Sequence, residues 1–174
     1  MKKILLLVTV FFLSACHQTS ESNSGQLLMA TKPSTVSTNS SSQQMEQQLE
    51  LADEFMRMYI HQVFDLEELK TKEQRLQEFA GDTSLDEVIQ AVAYMQEELK
   101  DYQETNRIST SASVTLVERR ITELTVYSRG QRYFADVSYV EDSPAYSGRF
   151  DRRRQFAFKI EGQKVLQFEE VLTR

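Results

Sequence analysis

Apolar positions recur in two rhythms, and the change of rhythm divides the chain. Met45, Leu49, Ala52, Met56, Tyr59 and Val63 keep a 3-4 spacing, and Phe55, Ile60 and Phe64 widen the stripe. Glu50, Asp53, Glu54, Arg57 and His61 fill the opposite face, so residues 45–64 predict an amphipathic helix. Asp65 and Glu68 then have the spacing of an N-cap signal. A second helix opens there on a thinner stripe of Leu66, Leu69, Leu76 and Phe79, closed by Gly81. Ser84 and Glu87 repeat the capping signal ahead of Leu85, Val88, Ile89, Val92, Met95, Leu99 and Tyr102, which predicts a third helix.

Beyond residue 106 the period falls toward two. Val114, Leu116, Ile121, Leu124 and Val126 predict one long or bulged strand, or two short ones. After a turn at residues 128–131, Tyr133, Ala135, Val137 and Tyr139 share one face of a strand; Arg132, Phe134, Asp136 and Ser138 share the other. Residues 150–160 form the next strand, with Phe156, Phe158 and Ile160 facing together. A Glu161-Gly162-Gln163 turn leads to the last, with Val165, Leu166, Phe168, Val171 and Leu172. Three helices followed by a four-stranded antiparallel meander give an α+β domain, with the helices packed on one face of a curved sheet.

The first sixteen residues follow neither rhythm. Lys2 and Lys3 precede a run from Ile4 to Leu13 that is almost wholly apolar and too short to span a bilayer. This is a secretory signal peptide, residues 1–15. Leu13-Ser14-Ala15-Cys16 resembles the bacterial lipobox, which implies diacylglycerol on the Cys16 thiol, cleavage just before it, and a lipid anchor on the outer side of a bacterial membrane. Acyl chains in that number hold a protein stably where one chain would not. His17, not Asp, follows the cysteine, so the sorting rule of such lipoproteins directs the chain to an outer membrane where one exists. Residues 16–44 then read as a disordered tether. Of the 28 residues 17–44, 18 are Ser, Thr, Asn or Gln, too polar to offset their ordering entropy by burial. Their typical reach is about 30 Å. The α+β domain takes residues 45–174.

Composition narrows the chemistry. A single Cys excludes a disulfide framework within the chain, and two His leave little for a metal site; no cofactor is implied. Net charge is −6, against the basic excess of a nucleic-acid binder. The charge is divided, however: residues 45–106 hold 5 basic and 16 acidic side chains, residues 107–174 hold 12 and 9. Such asymmetry suits either partners of different sign or a solvated acidic helix face beside a near-neutral sheet.

Arg149, Arg152, Arg153 and Arg154 are the sharpest feature of the basic half. In a strand Arg152 and Arg154 point one way, Arg149 and Arg153 the other. Cross-sheet pairing with Asp136, Asp151, Glu169 and Glu170 is expected. Together with Tyr146, Glu97 and Glu98 these arginines are the candidate partner-binding residues. Tyr133, Tyr139 and Tyr146 fit an interface or the core equally. His61 lies off its helix's apolar stripe, as an exposed side chain does, and Asp136 lies opposite the Tyr133/Val137 face. No nucleophile–base, paired-carboxylate, phosphate-loop or metal spacing stands out.

The order of elements suits the cone-shaped nuclear-transport-factor-2-like fold, with a cystatin-like sheet around one helix as its neighbour. Residues 45–64 as long first helix, residues 84–102 as last helix, and residues 124–126, 133–139, 156–160 and 165–172 as sheet resemble the periplasmic domain of the VirB-eight family of type IV secretion. They also resemble the related domains of Gram-positive conjugation systems. The resemblance implies an assembly component that self-associates and docks other envelope proteins, not an enzyme. Members usually carry a membrane helix where this chain has a lipobox. The alternatives are a lipoprotein holding a small ligand between helices and sheet, or an acid-base enzyme in the same cavity.

Cys16 yields the first prediction. Metabolic labelling with a radioactive fatty acid should mark the wild-type chain and not Cys16→Ser; a wild type without label contradicts the lipobox.

Overall fold

A computed structural model describes residues 38–108, 116–145 and 148–171. Cys16, the signal peptide, the tether up to residue 37, Val114, Tyr146 and Leu172 lie outside them. Three α-helices precede four strands: α1 (Thr38–Ile60), α2 (Leu66–Phe79), α3 (Asp86–Thr105), β1 (Glu118–Arg129), β2 (Arg132–Asp142), β3 (Phe150–Glu161) and β4 (Lys164–Glu170). The strands form one antiparallel sheet in the order β1-β2-β3-β4, so the α+β class and the meander are as expected.

The helix boundaries depart from the sequence pattern in instructive ways. α1 starts at Thr38, inside the stretch assigned to the tether, although Ser42 to Glu46 stay exposed. Once Ala52, Phe55 and Met56 are packed, each added residue needs only one further hydrogen bond to join the helix, and that suffices without burial. α1 also stops at Ile60, not at Phe64, because the chain turns there to pair with β1. α2 begins as predicted, with the Asp65 carboxylate accepting from the Glu67 and Glu68 amides at 2.9 and 3.0 Å.

α3 lacks the Ser84 cap that its sequence advertises. Asp82 caps a short 3-10 turn, Thr83–Leu85, through the Ser84 amide. The hydroxyl of Ser84 instead accepts from the Phe168 amide at 2.9 Å, and Asp82 accepts from the Gln167 amide at 2.8 Å. These bonds secure a bulge in β4, where Gln167 takes a left-handed φ of 52°. Of the alternatives left open for β1, the bulged strand is the one observed, with the bulge between Ile121 and Glu123.

The inward face of β2 (Tyr133, Ala135, Val137, Tyr139) and of β3 (Phe156, Phe158, Ile160) meets α1 and α2 in one core. Phe55 stands at its centre, its ring 5.3–5.4 Å from those of Phe79, Phe158 and Phe168 in edge-on contact. Tyr133 and Tyr139 are therefore core residues, and the Tyr133 hydroxyl reaches Gln48 of α1 at 3.0 Å.

Phe158→Ala should cost about 3–5 kcal/mol by leaving a cavity in this ring cluster. Phe134→Ala, on the opposite face of the sheet, should cost far less. Denaturant unfolding of both variants checks the phase of the sheet; equal losses contradict it.

Candidate functional site

The site begins where α1 ends. A helix C-terminus leaves carbonyl groups without intrahelical partners. Here Lys72, from α2, supplies donors: its Nζ donates to the Tyr59 carbonyl at 2.7 Å, the His61 carbonyl at 2.8 Å and Gln62 Oε1 at 3.3 Å. Gln62 exchanges two backbone hydrogen bonds with Arg119 of β1, at 3.1 and 2.8 Å. Its Nε2 donates to the Val117 carbonyl at 2.6 Å and meets Met95 Sδ of α3 at 2.8 Å. Two buried polar side chains thus join all three helices to the start of the sheet.

Beside this node lies an open cleft of about 550 Å³. Val88, Ala91, Val92 and Met95 of α3 form one wall. Arg119 of β1, Glu141 of β2, and Arg152 and Arg154 of β3 form the other, with Lys72 at the base and Glu87 on the exposed rim. Strand register explains this gathering. Arg119 stands directly across from Glu141, Arg152 from Tyr139, and Arg154 from Val137, all on one face. The buried Glu141 carboxylate is divided between two guanidiniums, Arg119 at 3.0 Å and Arg152 at 3.6 Å. Arg154 pairs with Glu170 of β4 at 3.0 Å, and Arg119 lies over the Tyr139 ring.

The predicted arginines are therefore divided as strand alternation requires. Arg153 is on the far face, where it grips Asp136 through two bonds of 2.8 and 2.6 Å. That contact, with Gln155 helping, holds the Asp136 carboxyl below the ordinary carboxylate range. Arg132 pairs with Glu169 at 2.5 Å, so three of the four expected acidic partners are engaged, while Asp151 stands exposed. Arg149 is exposed at the approach to β3, and Tyr146 is outside the described residues. Glu97 and Glu98 are on α3 but do not line the cleft. Among the described residues, the expected partner-binding arginines are divided between the two faces of the sheet. His61 is exposed, and its carbonyl, not its ring, serves the node.

Lys72 and Gln62 were not singled out by sequence pattern, whereas Arg119 was expected to be near the arginine run, and it is. One signal was present: Lys72 falls on the buried stripe of α2, in register with Leu69, Leu76 and Phe79. Among the described residues no group of three or more His, Cys, Asp or Glu is placed to hold a metal ion. No described helix is long and apolar enough to cross a membrane.

No family model and no curated protein matches the chain. Among solved structures it is similar to the NMR solution structure of TraH from the Gram-positive conjugative plasmid pIP501. Identity is 12%, the match covers 74% of this chain and 94% of that one, and the TM-score is 0.46.

Burial, and secondarily the nearby Arg119 guanidinium, push the Lys72 ammonium down to about 7 from an ordinary value of 10.5. The unfolded chain keeps this proton up to its ordinary value, whereas the folded chain releases it near 7. Between the two, unfolding takes up a proton, so stability should rise with pH through that window and be flat below it. Urea midpoints between about pH 6 and pH 9 test this. Lys72→Met should flatten the slope and lower stability by about 1–3 kcal/mol, by orphaning the Tyr59 and His61 carbonyls. A slope that survives the substitution assigns the proton elsewhere.

Proposed function

We propose that the chain is a lipid-anchored protein of the bacterial cell envelope that works by binding rather than by turnover, with the arginine cleft as its recognition site. The cleft itself carries this reading. Three guanidiniums, fixed by ion pairs and by strand register, face a volume typical of ligand sites and make its strand wall cationic. Positive clefts with low-dielectric walls steer and hold anionic groups. The lipobox at Cys16 and the polar stretch after it supply the rest: a domain held near a membrane meets its partners at raised effective concentration.

We further read the domain as nuclear-transport-factor-2-like, of the VirB-eight kind, and its role as a protein-binding or assembly component of a conjugative type IV secretion apparatus. The order of helices then meander supports this reading. A lipoprotein that holds a small ligand is the second reading, and the same cleft favours it.

Co-purification of the full chain from its own membranes tests the site. Arg152→Glu with Arg154→Glu should release the bound envelope proteins, as should added salt. Arg149→Glu with Arg153→Glu, outside the cleft, should retain them. Equal retention by both pairs overturns the cleft as recognition site.

A further inference from the structure

We propose that the cleft binds an organic carboxylate carried on a short apolar body, whether the carboxylate is free or belongs to a partner protein. The inference rests on the cleft being the recognition site, and it names the group recognised.

The two walls differ in chemistry. On the strand side, Arg119 and Arg152 divide a single buried carboxylate, Glu141, and Arg154 shares its charge with Glu170. On this wall three guanidiniums meet two carboxylates, and that excess of one cation, with Glu87 on the opposite rim, suits a monoanion better than a phosphate dianion. A guanidinium has five donors in a planar fork, so one contact to glutamate does not exhaust it, and the fork matches a carboxylate in two-pronged fashion. On the helix side, Val88, Ala91 and Val92 present an apolar surface, indented at Ala91. A bound anion would set its head on the arginines and its body against α3.

The base of the cleft adds a proton linkage. Arg119 is one of the two causes that depress the Lys72 proton affinity. A negative charge beside Arg119 offsets that cause, so binding near neutral pH draws a proton from solvent onto the Lys72 amine. The other charged or titratable groups facing the cleft are Tyr59 of α1, Glu87 of α3, Glu141 of β2, and Arg152 and Arg154 of β3. Burial raises the proton affinity of the Tyr59 hydroxyl.

Calorimetric titration of the full chain with hexanoate, its neutral twin hexanamide, and inorganic phosphate tests the proposal. Hexanoate should bind one to one, at least about tenfold tighter than hexanamide or phosphate, since a charged hydrogen bond is worth that much. Arg152→Gln, which leaves Arg119 on Glu141, and Ala91→Phe, which fills the cleft without altering charge, should each weaken hexanoate by a similar factor. Titration near pH 7 in buffers of different ionisation heat should show net proton uptake, abolished by Lys72→Met. Hexanamide or phosphate binding as tightly as hexanoate overturns the proposal. So does absence of saturable hexanoate binding, binding indifferent to both cleft variants, or binding without proton uptake. If hexanoate fails while charge reversal of Arg152 and Arg154 still releases an envelope protein, only the carboxylate inference falls. If both fail, the cleft is not the recognition site.

Discussion

A lysine buried at the end of a helix sets the terms for the rest of this domain. Lys72 completes the C-terminus of α1 from a neighbouring helix, and the same nitrogen reaches the side chain of Gln62. Gln62 in turn pairs by backbone with Arg119 and by side chain with Val117 and Met95. Lys72 and Gln62 are buried polar side chains, so removing either leaves partners without bonds in a medium where that is costly. The chain therefore leaves α1 at Ile60, and β1, reached only after α2 and α3, starts beside Gln62. Arg119 is thereby fixed at the base of the cleft, with Glu141 directly across the strand pair. The position of Arg119 follows from the node, and strand register then places Arg152 and Arg154 on the same face.

Sequence made the periodic features legible because they depend on neighbours a few residues away. The Asp65 cap, the alternating faces of β2 and the bulge in β1 are all of this kind. Most of the misses involve competition from distant groups. Ser84 looks like a cap, yet it serves the Phe168 amide 84 positions along the chain. Helix α1 outruns its apolar stripe because a packed helix propagates cheaply into polar sequence. Alternation correctly separated Arg152 and Arg154 from Arg153, but only strand register reveals that Arg119 and Glu141 join the first two. Lys72 was visible as a charge on a buried stripe; what it caps lies 11 to 13 residues upstream, on another helix.

The two faces of the sheet hold charge differently. On the far face, Arg153 and Asp136 neutralise one another through two bonds, exposed to water, which contributes little energy and leaves little field. On the cleft face, Glu141 is buried and divided between two guanidiniums, beside a desolvated lysine. The same residue type is thus a solvated surface group on one side and a candidate recognition element on the other. A cationic cleft built on a rigid node suits binding, because its donors are held in position before a ligand arrives.

Amide hydrogen exchange in Gln62→Leu tests the central role of the node most directly. The Arg119 amide donates to the Gln62 carbonyl at 2.8 Å and belongs to the node, whereas the Phe158 amide lies in the middle of the sheet. If the node positions the cleft, the substitution should sharply reduce protection at Arg119 and at residue 62 while leaving Phe158 protected. Unchanged protection at Arg119 would show that β1 holds its place without Gln62, and would contradict the account.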